Sequence, residues 1–474
     1  MHSNSGLTCK IVGFVLLILG ILSGGSARSE DEEKAPAVSE NFPYPASLRP
    51  QVEFWKKIFS TYSKYQSVIH DTESMKVYKV LDFQPLLNEE GMDEATVLQI
   101  KQDQTKIEIE HIRSMLLRLH KCHPTCEGLG AEEQKIWNLY RNVKDSDKFL
   151  AAAGEDRIRA QTGIKERFAE GIRVSRRYLK AMEAIFRQEG VPIELTRLPF
   201  IESSFNVQAN SKVGAAGIWQ FMPSTGRLYN MRINHMVDER RDPLIASEAA
   251  AKFLKANYER LGTWPLAITA YNHGPGGLAK AVEQLGTTDI GIILKYYKGG
   301  RFGFASRNFY PEFLAALEVE KNSEAHFGPL HTEAPIAHDE ITIELPVPLR
   351  TAARFAGTDE EELIFLNPAL GDSVRAGRTS IPRHYELRIP SGSLARFLQA
   401  YSPWQVEERA RLAALERERK VRLAALRAKW AARTAALRAR KGKGKATFVS
   451  ARSDSRGGVR QADRTETRSR KRRG

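Results

Sequence analysis

Residues 242–274 read DPLIASEAAAKFLKANYERLGTWPLAITAYNHG, and the fold class follows from them. Asp242 before Pro243 marks a helix start. The carboxylate caps free amide groups, and proline fits the first helical position, where no amide hydrogen is needed. The Ala- and Leu-rich run that follows favours helix and stops at Gly262. Trp264-Pro265 opens a second helix at once. Upstream, Phe168, Ile172, Leu179, Met182 and Phe186 share one helical face, and Gly190 and then Pro192 close it. The spacing predicts one helix there. Together these signals give an α-rich globular domain over residues 165–322.

Outward from this domain the signals are weaker. Residues 52–164 carry apolar residues at helical spacing, as in IEIEHIRSMLLRLH, with little Pro or Gly. They read as a helical accessory region. Residues 28–51 are polar and contain proline, as a linker does. Before them, Ile11–Leu22 is an apolar run of twelve residues, IVGFVLLILGIL. That is short of the roughly 20 residues that span a bilayer. With Lys10 ahead of it and SGGSA behind, residues 1–27 read as a signal sequence cut after Ala27, and the chain is expected to be exported to the periplasm or cell envelope. An uncleaved anchor is the alternative.

Cys9 lies before the apolar run and leaves with the signal. Cys122 and Cys126, in HKCHPTC, remain as a candidate disulfide for an oxidising compartment. His120 and His123 make a metal site conceivable, but no matching second ligand pair follows downstream, so neither metal nor cofactor is expected.

At the other end, ITIEL alternates like a strand, LRTAARFAG and DEEELIFLN have the pattern of short helices, and YELRIP closes as a strand. Residues 337–390 thus read as a small βααβ module. From Ser402 the chain is rich in Ala and Arg, with a narrow apolar stripe (Leu412, Leu415, Leu423, Leu426, Trp430, Leu437) on a basic helix. From Lys441 it loses apolar content and is expected to be disordered. The chain of 474 residues carries a formal net charge of +15, yet residues 402–474 hold 23 Lys and Arg against 7 Asp and Glu. The body is therefore near neutral and the basic excess belongs to the tail.

Three segments within about seventy residues carry the chemistry: LPFIESSFN (198–206), SKVGAAGIWQFMPSTG (211–226) and WPLAITAYNHG (264–274). In them Glu202-Ser203, Gly217-Ile218-Trp219-Gln220 and Ala270-Tyr271-Asn272 stand in order. The ordered trio resembles the catalytic domain of the soluble lytic transglycosylases. It is most similar to the membrane-bound lytic transglycosylase D type, over about Val52 to Pro390. The βααβ unit, with LNP after its second helix, resembles a LysM peptidoglycan-binding module.

The resemblance implies a mainly α, lysozyme-like catalytic domain acting on peptidoglycan without metal or cofactor. It implies that Glu202 protonates the bond between N-acetylmuramic acid and N-acetylglucosamine. Glu202 then takes the proton from the muramic C6 hydroxyl, leaving a 1,6-anhydromuramoyl end. Ser203, Gln220, Met222, Tyr271 and Asn272 are the implied substrate-binding residues. The residue types suit this work on their own terms. A glycosidic oxygen leaves poorly until protonated, and a positioned acid contributes about 10²–10⁴-fold. Apolar neighbours such as Leu198, Phe200, Ile201 and Phe205 would raise the pKa of such an acid towards neutrality. Two departures stand out. Relatives carry Glu-Thr, two residues, then Tyr-Val near the end of the domain, whereas here Ala305 replaces the Glu and Phe309 the Tyr, with Tyr310 following.

Other functions compete. A goose-type lysozyme would hydrolyse the same bond with water and would need a second carboxylate, for which Asp238 and Glu239 in VDERRDP are candidates. Pairing with Arg240 or Arg241 is the blander reading of both, and Asp242 is a helix cap. A non-catalytic wall-binding protein would need only the module and the tail. Nucleic acid is not an expected partner, because no aromatic interleaving accompanies the basic residues. Anionic wall polymers or a membrane surface suit the tail better.

Overall fold

A computed structural model of the chain describes residues 39–450, with side chains through residue 439, and the fold is mainly α-helical. Residues 1–38, which hold the expected signal sequence, and residues 451–474 lie outside the described residues. The contacts divide the chain into two units, residues 39–231 with 240–335, and residues 232–239 with 336–450.

The first unit opens with α1 (Arg49–Ser60), which has Pro50 in its first turn. Three strands follow in space though not in sequence: β1 (Gln66–Asp71), β2 (Val77–Asp82) and β3 (Ile158–Thr162). They form an antiparallel sheet in the order β2-β1-β3, with Val68 opposite both Val80 and Gln161. This sheet corrects the reading of residues 52–164 as helical. Its central strand is buried from Ser67 to Asp71 on both faces, so it lacks the in-out alternation that marks a half-buried strand. Between the second and third strands run α2 (Glu94–Cys122), α3 (Ala131–Leu139) and α4 (Lys148–Ala152). Ile69, Ile112, Leu116, Leu119, Ile136 and Phe149 make their common core. Cys122 and Cys126 are joined in a disulfide, with Cα atoms 4.8 Å apart, which removes both sulfurs from any metal site.

The single helix expected from Lys165 is two: α5 (Lys165–Ser175) and α6 (Leu179–Glu189). Tight turns at Arg177 and Tyr178, whose amides bond Val174 and Ser175, reset the direction between them. All five residues of the expected face are buried nonetheless. There follow α7 (Leu198–Glu202), α8 (Pro223–Leu228), α9 (Pro243–Leu261), α10 (Trp264–His273), α11 (Pro275–Leu285), α12 (Ile290–Tyr296), α13 (Phe304–Lys321) and α14 (Ser323–Phe327). The start of α9 is as the sequence requires: Asp242 Oδ1 accepts from the amides of Leu244 and Ile245 at 3.0 and 3.1 Å. Its end is Gly262 in the left-handed region. Helix α1 packs along α13, where Trp55 Nε1 donates to Asn308 Oδ1 at 2.9 Å and Lys56 pairs with Glu318. The expected boundary at residue 165 is therefore no boundary between units.

In the second unit, β4 (His338–Thr342) and β5 (Glu386–Pro390) pair antiparallel, His338 opposite Pro390 and Thr342 opposite Glu386. Between them lie α15 (Leu349–Ala356), α16 (Glu360–Leu366) and a one-turn helix, α17 (Asp372–Arg375). The order is the expected βααβ with one extra turn. Residues 232–239 belong to this unit: Val237 joins its core and Arg232 Nη1 donates to His384 O at 2.9 Å. The unit ends in α18 (Leu394–Ser450), whose base is packed through Phe397, Tyr401 and Trp404 on Phe355. The helix continues past Lys441, where disorder was expected. No helix among the described residues is long and apolar enough to cross a membrane.

Candidate active site

Glu202 ends the short helix α7, and the backbone turns sharply after it. Ser204 and Phe205 have φ of +54° and +55°, in the left-handed region that costs non-glycine residues energy. Such strain persists only where the surroundings enforce it. Here Phe205 is buried against Phe200 at 4.7 Å, and Phe200 stacks on Phe168 at 5.0 Å. Gly171 of α5 lets the turn approach, since a Cβ there would lie 2.8 Å from Ser204 O. The strand of contacts leaves the Glu202 carboxyl partly buried, without a hydrogen-bond donor or cation among the described residues. Burial pushes its pKa up from 4.5 to about 8.

Ser203, expected to bind substrate, does other work. It is buried, and its hydroxyl donates to Ile218 O at 2.9 Å, tying the turn after Glu202 to the loop that carries Gln220. Trp219 is fully buried, stacked on Phe186 at 5.7 Å, and its Nε1 donates to Ser247 Oγ at 2.9 Å. The loop is held from the other side by Arg240, whose Nη1 donates to Gly214 O at 2.7 Å and Phe221 O at 2.9 Å. Gly217, with φ of +75°, is required there: a Cβ would overlap the Arg240 carbonyl. This clamp sets Gln220 in the left-handed region at φ +48°, its Nε2 donating to Gly217 O at 2.8 Å. Met222, two residues on, is exposed.

Helix α10 brings Tyr271 and Asn272 to the same place. The Tyr271 hydroxyl donates to Trp219 O at 2.9 Å, and its ring meets Phe221 at 5.9 Å and Phe253 at 5.1 Å. Burial and the nearby Glu202 charge hold the phenol protonated well above its ordinary range. Asn272 is exposed, and its Oδ1 accepts from Ser306 Oγ at 3.0 Å. Glu202 and Tyr271 are thus close enough to interact, the Tyr271 hydroxyl ties α10 to the loop that carries Gln220, and Tyr271 stands on an aromatic floor. Such an arrangement can hold a neutral, hydroxyl-rich ligand against one protonated acid.

The ion-pair reading of VDERRDP holds for Glu239, although the arginine is not one of the two expected. Asp238 and Glu239 belong to the other unit, where Glu239 pairs with Arg232 and accepts from the Arg232 amide at 2.6 Å. Glu312 of α13 is the carboxyl that feels Glu202. Burial first, then the Glu202 charge, raise its pKa from 4.5 to about 8, while Arg159 opposes. It stands one turn from Phe309, whose ring lies parallel to Tyr271 at 6.5 Å, and i, i+3 neighbours share a helix face. Tyr310 does not restore the tyrosine expected at residue 309; it is buried and donates to Pro43 O at 2.7 Å. Sequence reasoning passed over Glu312, although a lone acid inside FYPEFLAAL was the available signal.

Residues 181–293 match the family model of the Transglycosylase SLT domain. The chain is 30% identical over 194 residues to the membrane-bound lytic murein transglycosylase D of Escherichia coli, covering 40% of this chain and 41% of that relative. It therefore spans about two fifths of the length of the curated relatives it matches. Among solved structures, the lytic transglycosylase Slt of Pseudomonas aeruginosa, an inactive mutant, aligns at 14% identity and a TM-score of 0.26, covering 48% of this chain and 38% of that one. The 70 kDa soluble lytic transglycosylase of Escherichia coli aligns at 13% identity and a TM-score of 0.26, over 50% and 46%.

Proposed function

We propose that this chain is a peptidoglycan lytic transglycosylase with Glu202 as its single acid and base. The observation that carries this is the state of Glu202: partly buried, unpaired, and protonated at neutral pH within the SLT domain. A carboxyl in that state can donate a proton to the glycosidic oxygen. Once ionised, it can take a proton from the muramic C6 hydroxyl as that oxygen closes on C1. The C1–O bond to the leaving sugar breaks, the C6 oxygen forms its bond to C1, and Glu202 regains its proton. No water is consumed. Gln220, Met222, Tyr271 and Asn272 line the sugar-binding patch, and Ser203 positions the turn that carries Glu202.

One observation favours a second reading. Glu312, coupled to Glu202, is a carboxyl of the kind a hydrolase needs to activate water on the far side of the sugar. Mass spectrometry of wall sacculi digested by the purified protein separates the two. Anhydromuramoyl ends support the transglycosylase; reducing ends, one water heavier, establish the hydrolase.

The remaining proposals concern place. The βααβ module is a LysM-like glycan-binding unit, which its isolated binding to sacculi would test. An envelope location agrees with the similarity to membrane-bound lytic murein transglycosylase D. The basic helix α18 offers its charge to an anionic wall polymer or membrane surface, where each basic residue contributes about 1 kcal/mol.

A further inference from the structure

A cavity of about 680 Å³ in the first unit shares no lining residue with the patch around Glu202. It lies among the start of α1, the turn between β1 and β2, and the α12–α13 connection. Its size falls within the ~300–1,000 Å³ typical of ligand sites. Two of its lining residues carry buried polar atoms without a hydrogen-bond partner: Arg307 Nε, a donor, and Gln51 Oε1, an acceptor. Buried polar atoms are nearly always satisfied, so an orphaned donor and an orphaned acceptor lining one cavity ask for a ligand that supplies both complements.

Charge narrows the choice. Four cations line the cavity: Arg157, Lys295, Lys298 and Arg307. Arg157 is already held by Asp71 at 2.7 Å and Glu73 at 3.2 Å. Lys295, Lys298 and Arg307 have no carboxylate within ion-pair distance among the described residues. Three uncompensated cations favour an anion, and the planar fork of arginine matches a carboxylate. A fully ionised phosphate would satisfy the cations but not Gln51 Oε1, which needs a donor. A neutral sugar would satisfy Gln51 but not the charge. Leu48, Met75 and Leu294 add apolar wall for small side chains.

We propose that this cavity binds the end of a short peptide, its terminal carboxylate on Arg307 with Lys295 and Lys298, and a backbone N–H on Gln51 Oε1. If the chain acts on peptidoglycan, as proposed above, the peptides that branch from the glycan are the natural source. The assignment of source rests on that reading; the site does not.

Titration calorimetry of the full chain tests it, using trialanine, its C-terminal amide and inorganic phosphate as probes. Trialanine binds, and the amide binds about ten-fold more weakly or worse, because the charge-assisted bonds are lost. Lys295→Ala with Lys298→Ala, and separately Arg307→Gln, weaken trialanine to a similar degree with unchanged melting temperature. Glu202→Gln leaves binding intact. Equal affinity for trialanine and its amide, phosphate binding as tight as trialanine, or trialanine affinity unchanged in both variants would each overturn the proposal. If wild-type protein binds trialanine yet releases nothing from sacculi, the peptide site stands and the peptidoglycan reading falls.

Discussion

Two carboxyls in the first unit, one fully and one partly buried, have opposite surroundings. Asp71, at the end of β1, is fully buried and surrounded by donors. It receives Arg157 Nη2 at 2.7 Å, the amides of Glu73 and Ser74 at 3.0 and 2.6 Å, the Ser74 hydroxyl at 2.9 Å, and the hydroxyls of Tyr140 and Tyr78. Glu202 receives none among the described residues. The donors around Asp71 tie β1 to the segment that enters β3, whereas burial alone penalises an ionised carboxyl at Glu202. At Glu202 nothing offsets it, and the proton stays. The difference teaches that a buried acid serves structure or catalysis according to its partners, not its depth.

The comparison breaks if the two carboxyls respond alike to losing their charge. The largest effect belongs to Glu202→Gln, which should lower kcat on sacculi by at least about 10²–10⁴-fold while glycan binding persists. The same variant should be more stable than wild type at alkaline pH. Between 4.5, the ordinary carboxyl value, and about 8, the folded state holds a proton on Glu202 that the unfolded state has released. Stability of the wild type therefore falls as pH rises through that window, and this contribution to the slope vanishes in the variant. Thermal melts at pH 5 and pH 9 read it directly.

Asp71→Asn should do the reverse: destabilise the fold by about 3–5 kcal/mol, since Arg157 loses its buried partner. Turnover per folded molecule should stay near wild type. An Asp71→Asn protein as stable as wild type would remove the distinction drawn above.

A smaller effect sharpens it. Turnover of the wild type should fall as pH rises through about 8, when Glu202 loses its proton. Glu312→Gln should move that alkaline limb to lower pH, because an amide cannot carry the negative charge that helps retain a proton on the pair. An unmoved limb would show that Glu312 does not couple to Glu202. The smallest expected change is in chemistry after removal of residues 406–474: soluble glycan fragments should be cut as before. Sedimentation with anionic vesicles should weaken, and wild-type binding should itself fade with added salt.

Much of the candidate site was legible because its parts are local. Glu202, Gln220, Tyr271 and Asn272 lie in short segments, and α9, which runs between the second and third of these, starts and stops where Asp242, Pro243 and Gly262 dictate. What escaped was long-range. Glu312 reads as one more charged residue of a helix until α13 is laid against α7. The sheet escaped because β1 is buried on both faces and carries no alternation. Residues 232–239 show no local sign of belonging to another unit, since Val237 and Arg232 are claimed by residues more than a hundred positions away. The break at Arg177 is invisible in a face that stays buried on both sides of it.

Helix α18 is 57 residues long, about 85 Å at the usual rise per residue. Its base is anchored by Phe397 and Tyr401, but side chains from Val406 to residue 439 lie mostly open to water, tied only by pairs such as Arg411–Glu408 and Lys420–Glu416. Such a rod separates its far end from its own root by many times the ~8 Å over which charges act in physiological salt. Charge at the far end is thus insulated from the root it grows from. If the far end grips an anionic surface, as proposed above, the helix works as a mast that limits where the root can wander without altering how the root folds.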